Sequence, residues 1–319
     1  MKLLIQGAQS PKEIPGLQPL PKDINVVCAA DEASMIRELR DAEILLGWNF
    51  RSDELKKHWD KAENLKWIHW CGAGVDAALF PELRNSDVIL SNARGIFDRA
   101  MAETLLGYIL MVAKDFRTTL EHQKSKTWEH RISRCIKGDR VLIVGVGSIG
   151  REFSRVLTSM GMKCSGAGRS GRSGDRDFLE ILDSTDLASS LNTFEWVIGI
   201  MPSTAETRGF FDRIFFDNMS SNAHFVNMGR GNAVVEEDII EALESGKIAG
   251  AMLDVFCNEP LEQTDPLWNV QNLFISPHIS GDFLGFQEAM INLFKSNLEK
   301  FMVGEKMDNI VDKKLGFVK

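Results

Sequence analysis

Three residues with complementary chemistry each follow a short apolar run in the second half of this 319-residue chain. The residues, each with its run, are Arg230 after 224–227, Glu259 after 250–255 and His278 after 273–276. Each run has the length of a buried strand. Ligands of an open parallel sheet bind beyond the carboxyl ends of its strands, so the three side chains can share one site if the runs are neighbouring strands.

Together these side chains suit the reduction of a 2-keto acid. A guanidinium group, here Arg230, binds a carboxylate with two hydrogen bonds and polarises the adjacent carbonyl. An imidazolium, here His278, gives a proton to the carbonyl oxygen as a hydride reaches the carbon, and the carboxylate of Glu259 favours the protonated imidazole. Taken singly, each of the three is more often a loop residue, because all lie in turn-rich segments. Their recurrence at successive strand ends favours a shared catalytic site.

The remaining histidines lack this combination of strand end and acidic partner. They are predicted to be surface or structural residues: His58, His69, His122, His130 and His224. No group of His, Cys and carboxylate residues has the sequence spacing of a metal site, so no metal is predicted.

The segment VLIVGVGSIG, residues 141–150, has the strand, glycine turn and helix order of a dinucleotide-binding βαβ unit. Gly145 makes the tight turn, Gly147 lets the backbone approach a pyrophosphate, and Gly150 lets the helix pack on the strand. Ser148 and Ile149 begin the helix, whose free N–H groups would bind the phosphates. The motif alone is weak evidence, because glycines punctuate many strand-to-helix turns.

The end of the next strand predicts which cofactor this turn binds. Folds that prefer NAD place an acidic residue about 20 positions past the glycines, where it bonds to the ribose 2′-hydroxyl. Gly168 occupies that place here, and Arg169, Ser170 and Arg172 after it suit a 2′-phosphate. NADP is therefore the preferred cofactor predicted, with NAD accepted as well. A basic surface loop is the alternative reading of these arginines.

The elements around these residues follow the pattern of an α/β protein with parallel sheets, because strand-like runs alternate with helical patterns. Strands are predicted at 3–6, 44–48, 67–70 and 88–91, and after the glycine motif at 163–167, 196–201, 224–227, 250–255 and 273–276. A helix is predicted near 33–41. Four tryptophans of the first part are assigned to its core: Trp48, Trp59, Trp67 and Trp70.

Two long helices complete this pattern. The segment 98–116, with Asp98 as a candidate N-cap, is apolar on most faces, so we expect it between domains or in a subunit interface. The helix at 286–302 has apolar residues at three-to-four spacing and is expected to cross back to the first domain. The chain is long enough for two domains, predicted as residues 1–97 with 284–319 and residues 98–283.

The composition is that of a globular protein, with 44% hydrophobic and 26% charged residues. The net charge of -8, with no block of like charge, disfavours a nucleic-acid partner. No stretch approaches the roughly 20 apolar residues of a transmembrane helix, so no membrane segment is expected. Five widely spaced cysteines indicate reduced thiols and a cytoplasmic protein.

Taken in order, the motifs of the chain resemble those of the D-isomer-specific 2-hydroxyacid dehydrogenases. They are GAGVD at 72–76, AE at 102–103, GVGSIG at 145–150, MPSTAETRG at 201–209, NMGRG at 227–231, LDVFCNEP at 253–260, SPHISG at 276–281 and NIVDKKLGF at 309–317. The resemblance spans nearly the whole chain, and so many ordered motifs make it specific.

The resemblance implies two Rossmann-like domains, with a dinucleotide-binding domain at 98–283 inserted into a discontinuous substrate domain. It implies that Arg230 binds the substrate, that His278 is the acid and base, and that Glu259 orients His278. It also implies that backbone N–H groups of Ala73 and Gly74 bind the substrate carboxylate, and that the protein is a homodimer through the cofactor domain. Further cofactor-binding residues predicted from the same motifs are Pro202, Met228, Asp254 and Gly281.

The departure at 168–170 is similar to that of the NADPH-preferring glyoxylate and hydroxypyruvate reductases of the family. Glyoxylate and hydroxypyruvate are thus the first candidate substrates, each reduced to the D-2-hydroxy acid. A reductase of bulkier branched or aromatic 2-keto acids is one alternative. A nicotinamide-sensing, corepressor-like binding protein is an alternative of another class, against which the intact Arg, Glu and His set weighs.

Overall fold

The computed structural model describes residues 1–318, which divide into two compact units. Unit 1 consists of Met1–Phe97 and Phe283–Lys319, and unit 2 is Asp98–Asp282.

Unit 1 is built on a five-stranded parallel sheet. Its strands are β1 (Lys2–Gln6), β2 (Asn25–Ala29), β3 (Ile44–Gly47), β4 (Trp67–Trp70) and β5 (Ile89–Asn92), in the order β2-β1-β3-β4-β5. The helices between them are α1 (Glu32–Leu39), α2 (Glu54–Lys57) and α3 (Pro81–Arg84). β3 and β4 are buried along their whole length, as expected of parallel strands covered on both faces.

Unit 2 is built on an eight-stranded sheet. Its helices are α4 (Asp98–Ala113), α5 (Phe116–Ser125), α6 (Ser148–Ser159), α7 (Arg213–Asp217) and α8 (Glu236–Glu244). Its strands are β6 (Arg140–Val144), β7 (Lys163–Gly168), β8 (Arg172–Ser173), β9 (Glu180–Asp183), β10 (Trp196–Gly199), β11 (His224–Asn227), β12 (Gly250–Leu253) and β13 (Leu273–Ile275). They lie in the order β13-β12-β11-β10-β6-β7-β9-β8, and all pairs are parallel except the edge pair β8–β9.

This topology confirms the predicted α/β class with parallel sheets. The strand order of unit 2 reverses between β6 and β10, and a crevice for a ligand is expected at such a switch point. The glycine turn follows β6 directly, so it opens at this crevice.

The last helix, α9 (Phe286–Val303), belongs to unit 1. Its apolar face contributes Met290, Phe294 and Leu298 to the unit's core, and Phe294 stacks on Trp67 with ring centroids 5.4 Å apart. Trp67 and Trp70 are fully buried, while Trp48 and Trp59 pack against the core at its edge. The predicted core role of the four tryptophans is confirmed.

Several sequence-based expectations for individual elements were wrong. Strands β2, β8 and β9 were not predicted, and the strand expected at 196–201 ends at Gly199. The helix expected at 98–116 ends at Ala113, because Asp115 adopts a left-handed conformation with φ of 51° before α5 begins. Asp98 is the first residue of α4 rather than its cap.

Candidate active site

The turn after β6 leaves space for a ligand at one of its three glycines and no space at the other two. A Cβ at Gly145, whose φ is 122°, would lie 2.5 Å from the carbonyl oxygen of Ile200. A Cβ at Gly150 would lie 2.0 Å from the carbonyl oxygen of Gly145. A Cβ at Gly147 would meet no described atom within 4 Å. The turn thus packs tightly on the sheet and is open at Gly147, as a pyrophosphate cradle requires.

Helix α6 begins at this turn with its N–H groups available to an anion. Gly147 is the N-cap residue, and no described side chain caps the helix. Arg151 in the first turns donates to Asp177 at 2.7 Å and to Asp175 at 2.8 Å, which anchors the helix to the loop before β9. The hydrogen bond from Arg151 holds the pKa of the Asp175 carboxyl well below its ordinary value.

Glu259 and His278 form a direct pair in the same unit. His278 Nδ1 lies 2.7 Å from Glu259 Oε2, and the other carboxylate oxygen accepts the N–H of Phe256 at 3.0 Å. About a third of the His278 side chain (32%) is exposed. Because Nδ1 faces the carboxylate, Nε2 is the nitrogen left for a substrate oxygen.

A buried carboxylate holds the loop that carries this histidine. Asp254, at the carboxyl end of β12 and 1% exposed, accepts the N–H groups of Ile279 at 3.1 Å and Ser280 at 3.2 Å. His278 itself has a φ of 53°, a conformation uncommon outside glycine. Asp254 therefore fixes the backbone that aims the imidazole, a role that the sequence did not suggest.

Arg230 lies in a turn that packs against the segment bearing Glu259. A Cβ at the next residue, Gly231, would lie 1.9 Å from the carbonyl carbon of Phe256. The Arg230 guanidinium donates to the Gly229 carbonyl at 2.8 Å. Arg230, Glu259 and His278 follow β11, β12 and β13, and these three strands are adjacent in the sheet.

Asn227 is a structural residue of this turn that sequence reasoning missed. It is 1% exposed, and its amide donates to the Arg230 carbonyl at 2.9 Å and accepts the Gly229 N–H at 3.2 Å. An asparagine at a strand end, two residues before a glycine, was the available signal, because its short side chain bonds readily to nearby backbone.

In unit 1, the loop after β4 carries the two backbone groups predicted to bind a carboxylate. Ala73 and Gly74 are partly exposed, and their N–H groups donate to no other described residue. The Ala73 carbonyl accepts the side-chain amide of Asn92 at 2.5 Å, which ties the loop to β5. These N–H groups are free to bind an anion.

Three comparisons with known proteins bear on this arrangement. Residues 106–280 match the family model described as D-isomer specific 2-hydroxyacid dehydrogenase, NAD binding domain. That match covers more than half of the chain. The chain belongs to the D-isomer-specific 2-hydroxyacid dehydrogenase family.

Two solved structures and one further relative support this family assignment. A family member from Aeromonas salmonicida is 31% identical, with a TM-score of 0.85 over 98% of this chain and 99% of its own. An NADPH-dependent glyoxylate/hydroxypyruvate reductase from Sinorhizobium meliloti, solved with NADP and sulfate, is 28% identical, with a TM-score of 0.86 over 99% of both chains. The glyoxylate/hydroxypyruvate reductase A of Serratia proteamaculans is 28% identical over 79% of this chain and 82% of its own.

The protein is thus an NAD(P)-dependent 2-hydroxyacid dehydrogenase with a small-molecule substrate. The cradle described above fits its nicotinamide cofactor, since Gly147, alone among the three glycines of this turn, leaves open space and α6 offers its N–H groups. None of the helices described is both long and apolar enough to cross a membrane.

The residues predicted to set the preference for NADP over NAD lie at one edge of the crevice. Gly168 ends β7, Arg169 and Ser170 are exposed just beyond it, and Arg172 is exposed in β8. Asp183, which is in register with Gly168, accepts the Thr185 N–H at 2.9 Å and its hydroxyl at 2.7 Å. The carboxylate beside Gly168 is therefore already bonded within its own turn.

Proposed function

We propose that this dehydrogenase reduces glyoxylate or hydroxypyruvate with NADPH and releases the D-2-hydroxy acid. The observation that carries the proposal is the Glu259–His278 pair, 2.7 Å apart beside the Arg230 turn. When bound, the reduced nicotinamide supplies the hydride.

Residues of the chain bind the substrate and supply the proton. Arg230 binds the substrate carboxylate and polarises the carbonyl to be reduced. His278 Nε2 gives the proton to the carbonyl oxygen, and Glu259 keeps the imidazole protonated and oriented until then. The N–H groups of Ala73 and Gly74 bind the carboxylate, so the substrate domain is unit 1 and the cofactor domain is unit 2.

The cofactor is bound by residues on the loops of unit 2. Gly145, Gly147 and Gly150 with Ser148 and Ile149 hold the pyrophosphate, and Arg169, Ser170 and Arg172 bind the 2′-phosphate. The nicotinamide end is lined by Pro202, Met228, Asp254 and Gly281. Met228 is 2% exposed, and its N–H donates to the Gly199 carbonyl at 3.0 Å. The NADP complex of the Sinorhizobium meliloti relative supports the choice of NADPH.

We also propose that the protein is a cytoplasmic homodimer that associates through unit 2. The support for the dimer is an apolar surface formed by α5 and the segment after it. Helix α5 buries none of its residues, and the exposed side chains are Phe116, Leu120, Trp128 and Ile132. Surfaces of this kind mark sites of association. All five cysteines are free thiols, which fits the reducing cytoplasm.

A steady-state panel of 2-keto acids with NADPH and NADH tests the function. We expect the highest kcat/KM with glyoxylate or hydroxypyruvate, and a value with NADPH about tenfold or more above that with NADH. Arg169→Gln should lower kcat/KM for NADPH about tenfold and leave that for NADH within twofold, because it removes one charge-assisted bond to the phosphate.

The matched control is Arg176→Gln, at an arginine whose side chain is 83% exposed and which is assigned no role. It should leave both cofactors unaffected. Equal or better efficiency with NADH would contradict the NADPH assignment. Turnover of bulky branched or aromatic 2-keto acids alone would contradict the substrate assignment.

A further inference from the structure

Unit 1 has a pocket of its own at the carboxyl ends of β1, β2 and β3. Its volume is about 230 Å³. The strand order β2-β1-β3 reverses direction at the β1/β3 boundary, which is where doubly wound sheets bind ligands. Its wall includes Gln6, Glu32 and Glu54. None of these residues has a part in the reduction proposed above.

Two carboxylates and an imidazole meet beside this pocket. His58 Nε2 lies 3.0 Å from Glu32 Oε1 and 3.5 Å from Glu54 Oε2, and one ligand atom from each of the three lies within 4.8 Å of the others. Tetrahedral zinc with bonds of about 2.0–2.2 Å would separate neighbouring ligand atoms by about 3.4 Å. The two distances from His58 Nε2 bracket that value, and the carboxylate oxygens lie within 4.8 Å of each other, so the three side chains are close enough to bind one ion in place of the His58–Glu32 hydrogen bond.

The pocket also contains buried polar atoms that the protein leaves unsatisfied. Glu54 Oε2 is buried and accepts no hydrogen bond from any residue described. Gln6 is only 2% exposed, lines the pocket, and has neither its amide nitrogen nor its amide oxygen bonded within residues 1–318. A buried polar group without a partner has lost its bonds to water and gained none in exchange, so such groups are usually bonded to an ordered water or a ligand.

A hydrated cation would balance the carboxylate charge and would also give the unsatisfied polar atoms a partner. Lys57 Nζ already lies 3.3 Å from Glu54 Oε1, and the charge of the ion adds to that of Lys57 in balancing the two carboxylates. The water ligands of the ion can bond to an amide on the pocket side. An imidazole ligand favours zinc, cobalt or nickel over magnesium or calcium, which prefer oxygen ligands only.

We propose that unit 1 binds one divalent transition-metal ion through Glu32, Glu54 and His58, with water in the remaining positions facing Gln6. Glu32 is the first residue of α1, Glu54 is the first residue of α2, and His58 follows the last residue of α2. The ion therefore ties the start of one helix to another and stabilises unit 1. Sequence spacing did not predict the site because Glu32 comes from a separate helix.

Titration of the full-length protein with Co²⁺, after treatment with and removal of a chelator, tests this site. Calorimetry is expected to find one Co²⁺ per chain, with visible absorption bands of a low-symmetry complex and a higher melting temperature. We expect Co²⁺ binding to weaken by on the order of 100-fold in each of three variants, His58→Asn, Glu54→Gln and Glu32→Gln. Glu32 is the more exposed of the two glutamates. His122→Asn is the matched control, because His122 faces a single carboxylate, Glu129, at 3.7 Å; it should bind like the wild type.

Melting temperatures in chelator check that each variant is folded. Equal Co²⁺ affinity in wild type and in a folded Glu32→Gln or His58→Asn variant would overturn the site, as would absence of binding to the wild type at millimolar Co²⁺. Tighter binding of Mg²⁺ than of Co²⁺ would overturn the class of ion. The titration contains no cofactor or keto acid, so its outcome is independent of the reductase assignment.

Discussion

At the residue scale, the chemistry depends on how Glu259 holds His278. The carboxylate uses one oxygen for the Phe256 N–H and the other for the imidazole, so it cannot turn away without losing a backbone bond. Asp254 holds the adjacent backbone by two further bonds. The imidazole is thus positioned from its ring and from its main chain.

Replacement of Glu259 by glutamine should change the pH dependence of reduction. The amide keeps the size of the side chain and removes its charge, so the protonated imidazole loses a stabilising partner. We expect kcat/KM for reduction to begin to decline at a lower pH in the variant than in the wild type. The check is a profile of kcat/KM between pH 5 and 9.

Glu262→Gln serves as the control for this profile, because Glu262 is exposed in the same loop. Its profile should match that of the wild type. An unshifted decline in Glu259→Gln would mean that the carboxylate does not act on the protonation of His278.

The residue scale is also where sequence reasoning reached furthest. Arg230, Glu259 and His278 could be chosen because a parallel sheet gathers residues that follow successive strands. The support behind them could not be chosen in the same way. Asp254 acts through bonds to backbone N–H groups, which leave no pattern of residue types at fixed spacing, and the one signal for Asn227 was the place of an asparagine at a strand end.

At the element scale, strongly apolar strands were predictable and weakly patterned ones were not. β12 is buried along its whole length, and β6 and β11 are buried after their first residue. β8 has two exposed residues and pairs only at the sheet edge, so its sequence carries no apolar signal. The break after α4 depends on tertiary contacts, because Arg131 binds Asp115 and Lys114 donates to the Arg134 carbonyl at 2.8 Å.

The first residue of β11 makes the stability of unit 2 depend on pH. His224 stacks on Trp196 with ring centroids 4.9 Å apart, and burial, with a smaller contribution from Arg134, lowers its pKa to about 4. Below about pH 6.5 His224 binds a proton in the unfolded chain and does not bind it in the folded chain. The buried, neutral His224 therefore makes its full contribution to the stability of the folded chain above pH 6.5, and this contribution is lost as the pH falls towards 4.

His224→Gln should flatten this dependence. Between pH 7.5 and 4.5, the free energy of unfolding from urea titration should fall by up to roughly 3 kcal/mol less in the variant than in the wild type. The exposed His130→Gln is the control and should keep the wild-type slope. Buried His69, whose pKa burial lowers to about 3, leaves part of the slope in every variant. Equal slopes in His224→Gln and wild type would refute the assignment.

At the scale of the whole molecule, the chain forms two compact units, one of them assembled from both ends of the sequence. The periodicity of the segment now seen as α9 indicated this return, because its apolar face needs a core to cover it. The apolar surface on α5 and after it was not predicted as such. Only the structure shows that Trp128 and Ile132 are almost wholly exposed.

A double variant tests the proposed homodimer. Trp128→Ser with Ile132→Ser removes two large apolar side chains from this surface, so the protein should elute as a monomer in size-exclusion chromatography with light scattering. Leu179→Ser with Ile214→Ser changes apolar residues of unit 2 that are 66% and 68% exposed elsewhere, and should remain a dimer. A monomeric wild type, or a dimeric Trp128/Ile132 variant, would contradict the proposal.

The central claim is that His278 supplies the proton when the keto acid is reduced. The most direct measurement compares His278→Gln with the wild type in single-turnover reduction of glyoxylate and in NADPH binding by fluorescence titration. We predict that NADPH affinity stays within about threefold, while the rate of reduction falls by about 10² to 10⁴. A variant that binds NADPH and reduces glyoxylate at a rate near that of the wild type would contradict the claim.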